Sequence, residues 1–279
     1  MAPDVVTGAA APVEVVRRER LGRALRNPVI GPLGALVIAV VVFTVTTDTF
    51  ATVGNASLIL QQSIVIGTLA LGQTLIILTA GIDLANGAIA VLGTIVMAKH
   101  VVGGGSPLTA LLLGIGITLL LGATSGVLVT RLGLPPFIVT LGMLTVTYAL
   151  ARLYAESRSY PVQDRLLRFW GEGMTLGGVR ITWGSFMLLG IFAVFWYALT
   201  RTAWGRHVYA VGNAPEAARL TGIKTRRTVL SVYVAAGVLY GLAAWQALGR
   251  IPNADPNAYQ TGNLDSITAV VIGGTSLFG

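Results

Sequence analysis

GRHVYAVGNAPEAARLTGIKTRR, residues 205–227, is the one long, charge-dense stretch lying between two apolar runs, and its reading decides the fold. Arg206, Arg219, Lys224, Arg226 and Arg227 face a single acid, Glu216. Basic clusters between apolar runs mark the cytoplasmic side of a membrane protein. Inside the stretch, the start and stop signals of a short helix stand close together. Asn213 can cap it, Pro215 suits its first turn, and Gly222 can close it. Glu216 meets the positive end of its dipole and Arg219 the negative end, with Ala217 and Ala218 between them. So short a helix is marginal in water, so it is expected to lie across the membrane surface, held by something it packs against.

The whole chain agrees with that placement. Of 279 residues, 54% are hydrophobic and 11% charged, where a soluble domain carries roughly 25% charged residues. The net charge of +8 comes from Arg clusters placed between long apolar runs and not from a basic stripe, so no nucleic-acid partner is expected. Cysteine is absent, which excludes disulfides, thiolate chemistry and cysteine metal sites. The two histidines, His100 and His207, make no metal-ligand spacing, and no cofactor is expected.

Toward the C-terminus, a span at about 229–248 carries Gly237 and Gly241 at a small-xxx-small spacing that permits close helix approach. A turn-rich outer loop, RIPNADPNAYQTGNL, leads to a last apolar run at 265–279, about fifteen residues where a span needs roughly twenty. Toward the N-terminus, span 183–200 follows an outer excursion at 156–182 with interfacial Trp170 and Trp183. Before it come span 137–154, an inner turn at Arg131 and GLPPF, and span 108–130 with Gly122 and Gly126 on one face, read as packing glycines. Span 57–80 breaks at GIDLANG, where Gly81 and Gly87 permit an interruption and Asp83 or Asn86 can cap the restarting helix. That helix runs to about residue 102, and its Lys99 and His100 go against the positive-inside trend at an outer turn. A first span at 29–47, read as retained and not as a signal peptide, follows a tail whose Arg17, Arg18, Arg20, Arg23 and Arg26 hold it inside. The expectation is an all-α polytopic membrane protein with about eight transmembrane helices, some broken. Residues 1–28 form a cytoplasmic tail and residues 29–279 a transmembrane domain.

The sequence has no nucleotide site of its own. The nearest approach to a phosphate-cradling loop, Gly222-Ile223-Lys224-Thr225, lacks both the spacing and a preceding strand. A secondary transporter or channel for a small polar solute is the alternative, and its one clear mid-membrane ion carrier is Asp83. One acid is a thin relay, and the charged, capped inner stretch suits docking to a partner ATPase better. A third reading is an apolar bundle that merely scaffolds another membrane protein.

Three stretches together carry a family resemblance: LALGQTLIILTAGIDLANGAI at 69–89, LPPFIVTLGMLTV at 134–146, and the tract from Gly205 through AVVIGGTSLFG. The chain resembles the permease subunit of bacterial ribose-type sugar importers driven by ATP hydrolysis, over most of residues 55–279. The resemblance implies a multi-pass protein of the bacterial cytoplasmic membrane, in contact with lipid, with its N-terminus inside. It implies a cytoplasmic ATPase subunit, an extracytoplasmic sugar-binding protein and a second permease subunit, identical or different. By the same likeness the Asn213 to Gly222 helix couples to the ATPase, and the permease continues beyond residue 279 with two further spans. The implied solute is a monosaccharide or related polyol. A neutral sugar calls for amides and hydroxyls along its path, and Gln61, Gln62, Gln73, Asn86, Thr140 and Thr145, with Asp83 shaping the break, are the candidates. Bonding to neighbouring helices is the competing reading of these groups, and the weightier one.

Overall fold

The computed structural model describes residues 30–276. The expected cytoplasmic tail, residues 1–28, lies outside the described residues. Helix α1, Ile30–Thr46, belongs to a unit of its own that ends at Asp48. The second unit begins at Thr49 and contains everything discussed below.

Thr52 starts α2, Val53–Ile77, by accepting the Asn55 N–H at 3.3 Å. Helices α3, Asn86–Val102, α4, Pro107–Arg131, and α5, Pro136–Tyr154, follow, the last two opening on proline, whose missing N–H costs nothing there. The excursion is built from β1, Tyr160–Pro161, a short helix α6, Arg165–Arg168, one 3₁₀ turn, and a hairpin of β2, Gly173–Leu176, and β3, Val179–Thr182. Gly177 and Gly178, at φ 57° and 85°, make the two-residue turn that such a hairpin requires. Helix α7, Trp183–Arg201, is followed by α8, Ala203–Asn213, and α9, Pro215–Leu220, which lead into α10, Thr225–Arg250. Strand β4, Asn253–Ala254, pairs antiparallel with β1, and α11, Gly262–Ile272, closes the described chain.

Among the described residues, α2, α4, α5, α7 and α10 are long and apolar enough to cross a membrane, and α1, α3 and α11 are shorter apolar helices. These are the eight runs expected from the sequence. Helix α10 starts four residues earlier than the apolar run does, so Arg226 and Arg227 are helical.

Helix α10 is the axis of the unit and packs against α4, α2 and α3, with α3 also packed on α4. The two glycine pairs meet in this antiparallel seam. A methyl group on Gly122 would lie 2.7 Å from the Tyr233 carbonyl oxygen and 2.8 Å from Gly237 Cα, and one on Gly237 would lie 2.8 Å from the Thr118 carbonyl oxygen. Only backbone fits there, so the packing reading of both pairs holds. The dissenting Lys99 is also accounted for. Its ammonium donates to the Tyr154 carbonyl at 2.6 Å, pairs with Glu156 at 3.0 Å and sits 4.8 Å from the centre of the Tyr154 ring. The hydrogen bond from Lys99 holds the Glu156 carboxyl below its ordinary range. This charge ties α3 to the end of α5.

Candidate functional site

Two punctuations in the chain carry the functional reading: the break between α2 and α3, and the short exposed helix α9.

Helix α2 ends in a turn whose Ala80 takes φ 57°, and residues 81–85 run without helix until Asn86. Backbone that leaves a helix inside a membrane bundle must find partners within the protein. Gly81 N–H reaches the Ile76 carbonyl at 3.1 Å, and the Thr140 hydroxyl of α5 donates to the Ile82 carbonyl at 3.0 Å. The Gln73 amide takes the orientation that serves both backbone groups of Asp83. Its nitrogen donates to the carbonyl at 2.9 Å and its oxygen accepts the N–H at 3.2 Å. The Asp83 carboxyl, 1% exposed, accepts the Ala85 N–H at 2.7 Å on one oxygen and the Tyr240 hydroxyl at 2.8 Å on the other. Asn86 donates to Ser266 Oγ of α11 at 2.7 Å and accepts the Gly87 N–H at 2.6 Å. Gly87 lets the loop before α11 approach, since a methyl group there would lie 3.1 Å from the Tyr259 carbonyl oxygen.

The expected capping of α3 needs correction. The capping residue is Ala85, with no side-chain bond to the helix. Asp83 stands two residues upstream of it and reaches Ala85 itself, closing a turn before the helix. Asn86 is already helical.

Gln73, Asp83, Asn86 and Thr140 are thus brought together and buried. Gln61 and Gln62 are not with them. They sit on the N-terminal half of α2, about 16 to 18 Å from Gln73 along the helix axis. There Gln61 faces a small enclosed cavity with Trp170, Thr182 and Gln246, and Gln62 an open cavity of about 480 Å³ with Arg250, Asn257 and Asp265. The Thr145 hydroxyl bonds its own helix at the Gly142 carbonyl. Sequence reasoning missed Tyr240, Ser266 and the Gln246 that accepts from Thr68 at 2.6 Å. None of them carries a local signal of its role, because the partner of each is a residue distant in sequence.

Helix α9 is assembled from local signals. Pro215 opens it, and Glu216 and Arg219 pair at 3.0 Å across one turn. Gly222 at φ 89° closes it, its N–H reaching the Arg219 carbonyl and the Ile223 N–H the Ala218 carbonyl, both at 3.0 Å. That pair of bonds is the Schellman closure of a helix end. The expected cap at Asn213 is wrong. Asn213 is the last residue of α8, and Ala214 stands in the capping position without a side-chain bond. The charge density of the stretch hid α8, whose buried face is Gly205, Val208, Val211 and Gly212. Helix α9 buries Ala218 alone and leaves Leu220 84% exposed. Gly212, three residues before it, lies against the backbone of Leu78 and Thr79, the turn that ends α2.

A bundle of apolar helices long enough to cross a membrane, interrupted by a buried polar break, has the architecture of a polytopic membrane protein. The family described as branched-chain amino acid transport system / permease component matches residues 55–279, and the chain belongs to it. It is a multi-pass transport subunit and not an enzyme. Among its relatives, the fructose import permease protein of Rhizobium meliloti is 42% identical over 260 residues, covering 91% of this chain and 72% of that protein. The ribose import permease protein of Bacillus subtilis is 35% identical over 252 residues, covering 90% and 77%. A probable ABC transporter permease protein of Sinorhizobium fredii is 34% identical over 271 residues, covering 97% and 80%. No solved structure matches the chain.

Proposed function

We propose that the chain is the membrane-spanning subunit of an ATP-driven importer for a monosaccharide or related polyol in a bacterial cytoplasmic membrane. In this reading an ATPase subunit drives it from the cytoplasm, a sugar-binding protein delivers solute outside, and a second permease subunit, identical or different, completes the path. Helix α9, with Pro215, Glu216, Ala217, Ala218, Arg219 and Gly222, takes the ATPase contact, and Asn213 joins it to α8.

The observation that carries the proposal is the link between the two punctuations. The surface helix leaves most of its side chains free for a partner. Its neighbour Gly212 abuts the turn at Leu78 and Thr79, from which the chain enters the polar break. A push on α9 therefore reaches the groups of Gln73, Asp83, Asn86 and Thr140 through packed backbone. Those groups are buried and engaged within the protein, so they fix the shape of the break and move with it. The relatives named for fructose and ribose import support the solute class.

Co-expression with an ATPase subunit and a sugar-binding protein from the same source, followed by reconstitution in vesicles, tests the reading. Uptake of fructose or ribose that requires ATP and the binding protein, and survives an ionophore, is the expected result. Uptake abolished by the ionophore with ATP maintained would move the chain to the secondary transporters. Orientation is tested by impermeant thiol labelling of intact cells, where Asn257→Cys should react and Asn213→Cys should not.

A further inference from the structure

The corner where α8 meets the start of α10 holds a cavity of about 450 Å³. Its walls include Trp204 and His207 from α8, Lys224 from the loop after α9, and Arg227, Thr228 and Ser231 from α10. Most of its polar groups are already engaged. The Thr228 hydroxyl donates to the Lys224 carbonyl at 3.3 Å, and the Ser231 hydroxyl donates to the Thr228 carbonyl at 2.7 Å while accepting the Trp204 indole N–H at 2.8 Å. The backbone N–H groups of Gly222, Ile223, Thr225 and Arg227 reach carbonyls of their own turns. The donors left for an occupant are the Lys224 ammonium, the Arg227 guanidinium and the His207 ring. Among the described residues no carboxylate lies within ion-pair distance of Lys224 or Arg227, and Glu216, the one acid of the stretch, is engaged by Arg219. A concave site with two cations and no counter-charge fits an anion with several acceptor oxygens, and phosphate is the chemistry that matches.

Depth decides where such a phosphate comes from. The apolar part of α10 begins at Val229. Arg227 and Lys224 precede it by two and five residues, about 3 and 8 Å along the axis. The polar layer on each side of the hydrocarbon is roughly 5 to 8 Å thick, so both cations stand in the headgroup layer, with an indole beside them as at other membrane interfaces. The cavity is also peripheral. Its lining comes from α8, the loop after α9 and α10 alone, whereas the cavity of about 340 Å³ lined by Thr225 and Arg226 also includes Thr79 and Ala80 from the turn that ends α2 and Thr130 from the end of α4.

We infer that the Trp204, His207, Lys224 and Arg227 cavity binds the phosphate of an anionic phospholipid of the cytoplasmic leaflet. The bound headgroup braces the α8–α10 corner from which α9 projects.

The test needs no transport activity, so it stands or falls apart from the importer assignment. The full chain is reconstituted in vesicles of phosphatidylcholine containing brominated phosphatidylglycerol or, in parallel, brominated phosphatidylcholine. Quenching assigned to Trp204, by difference from Trp204→Phe, is expected to be at least about threefold stronger with the anionic lipid, as attraction of about 1 kcal/mol per basic residue implies. Lys224→Gln with Arg227→Gln, both exposed positions, should bring the two lipids level while leaving the thermal unfolding midpoint unchanged. If that pair fails to insert, Lys224→Gln with His207→Gln carries the same readout. Equal quenching in the native chain, or a preference untouched by the substitutions, overturns the site. A preference abolished by about 10 mM inorganic phosphate assigns it to free phosphate and overturns the lipid. A preference lost when the co-expressed ATPase is added, with the charge variants no longer co-purifying with that ATPase, assigns it to an acidic docking segment and overturns the lipid equally.

Discussion

The break at 81–85 and the helix at 215–220 are both short, glycine-flanked interruptions of an apolar chain, yet they solve the problem of unpaired backbone in opposite ways. Helix α9 stands in water and satisfies itself, with an ion pair across one turn and a Schellman closure within nine residues of sequence. The break stands inside the bundle and is satisfied from elsewhere, by Gln73 of α2, Thr140 of α5 and Tyr240 of α10. An exposed element can lose a bond to water at little cost, whereas a buried one leaves a stranded polar group that costs about 1 to 3 kcal/mol. Substitutions in the break should therefore act first on stability, and substitutions in α9 first on coupling.

The largest effect is expected at Gln73. Gln73→Leu strands both backbone groups of Asp83 and should lower stability by about 2 to 6 kcal/mol, two groups at about 1 to 3 each. Thermal unfolding in detergent measures it, and a loss under 1 kcal/mol would mean that the break finds its partners elsewhere. Tyr240→Phe comes next, with a loss of about 1 to 3 kcal/mol, because one oxygen of a buried carboxyl is left without its donor. In the same assay Asp83→Ala should cost more than Asp83→Asn, which keeps an oxygen for the Ala85 N–H and retains most uptake. An Asn variant as damaging to transport as the Ala variant would instead give the carboxyl a role in carrying ions.

At α9 the expected order is reversed. Gly222→Val places a β-branched residue at φ 89° and should cost about 1 to 2 kcal/mol locally, while uptake and coupled ATP hydrolysis in the reconstituted complex are lost. Glu216→Lys breaks only an exposed pair, so stability should move by less than about 1 kcal/mol, again with coupling lost. Activity unchanged in both variants would remove α9 from the drive train. The smallest effect belongs to Asn213→Ala. Because Asn213 caps nothing, unfolding should shift by no more than about 0.5 kcal/mol, below the usual cost of a lost cap.

The features legible in the chain before folding come from signals that act over a few residues. Apolar run lengths located the eight apolar helices, Pro215 and Gly222 bounded α9 to within a residue, and Gly81 and Gly87 marked where α2 could not continue. The glycine pairs at 122, 126 and 237, 241 announced close packing, although not that each was the other's partner. The mistakes also have a local cause. Asn213 has the chemistry of a cap, but Val208, Val211 and Gly212 gave α8 a buried face, and that burial carried the helix through Asn213. Only the tertiary structure decided which polar groups meet. Gln73 and Asp83 are ten residues apart, but Asp83 and Tyr240 are separated by 157 and Asn86 and Ser266 by 180. No periodicity encodes such pairs. They exist because the glycine seam with α4 fixes the height of α10, and a carboxyl inside a membrane bundle is tolerated only where the packing has already delivered its donors.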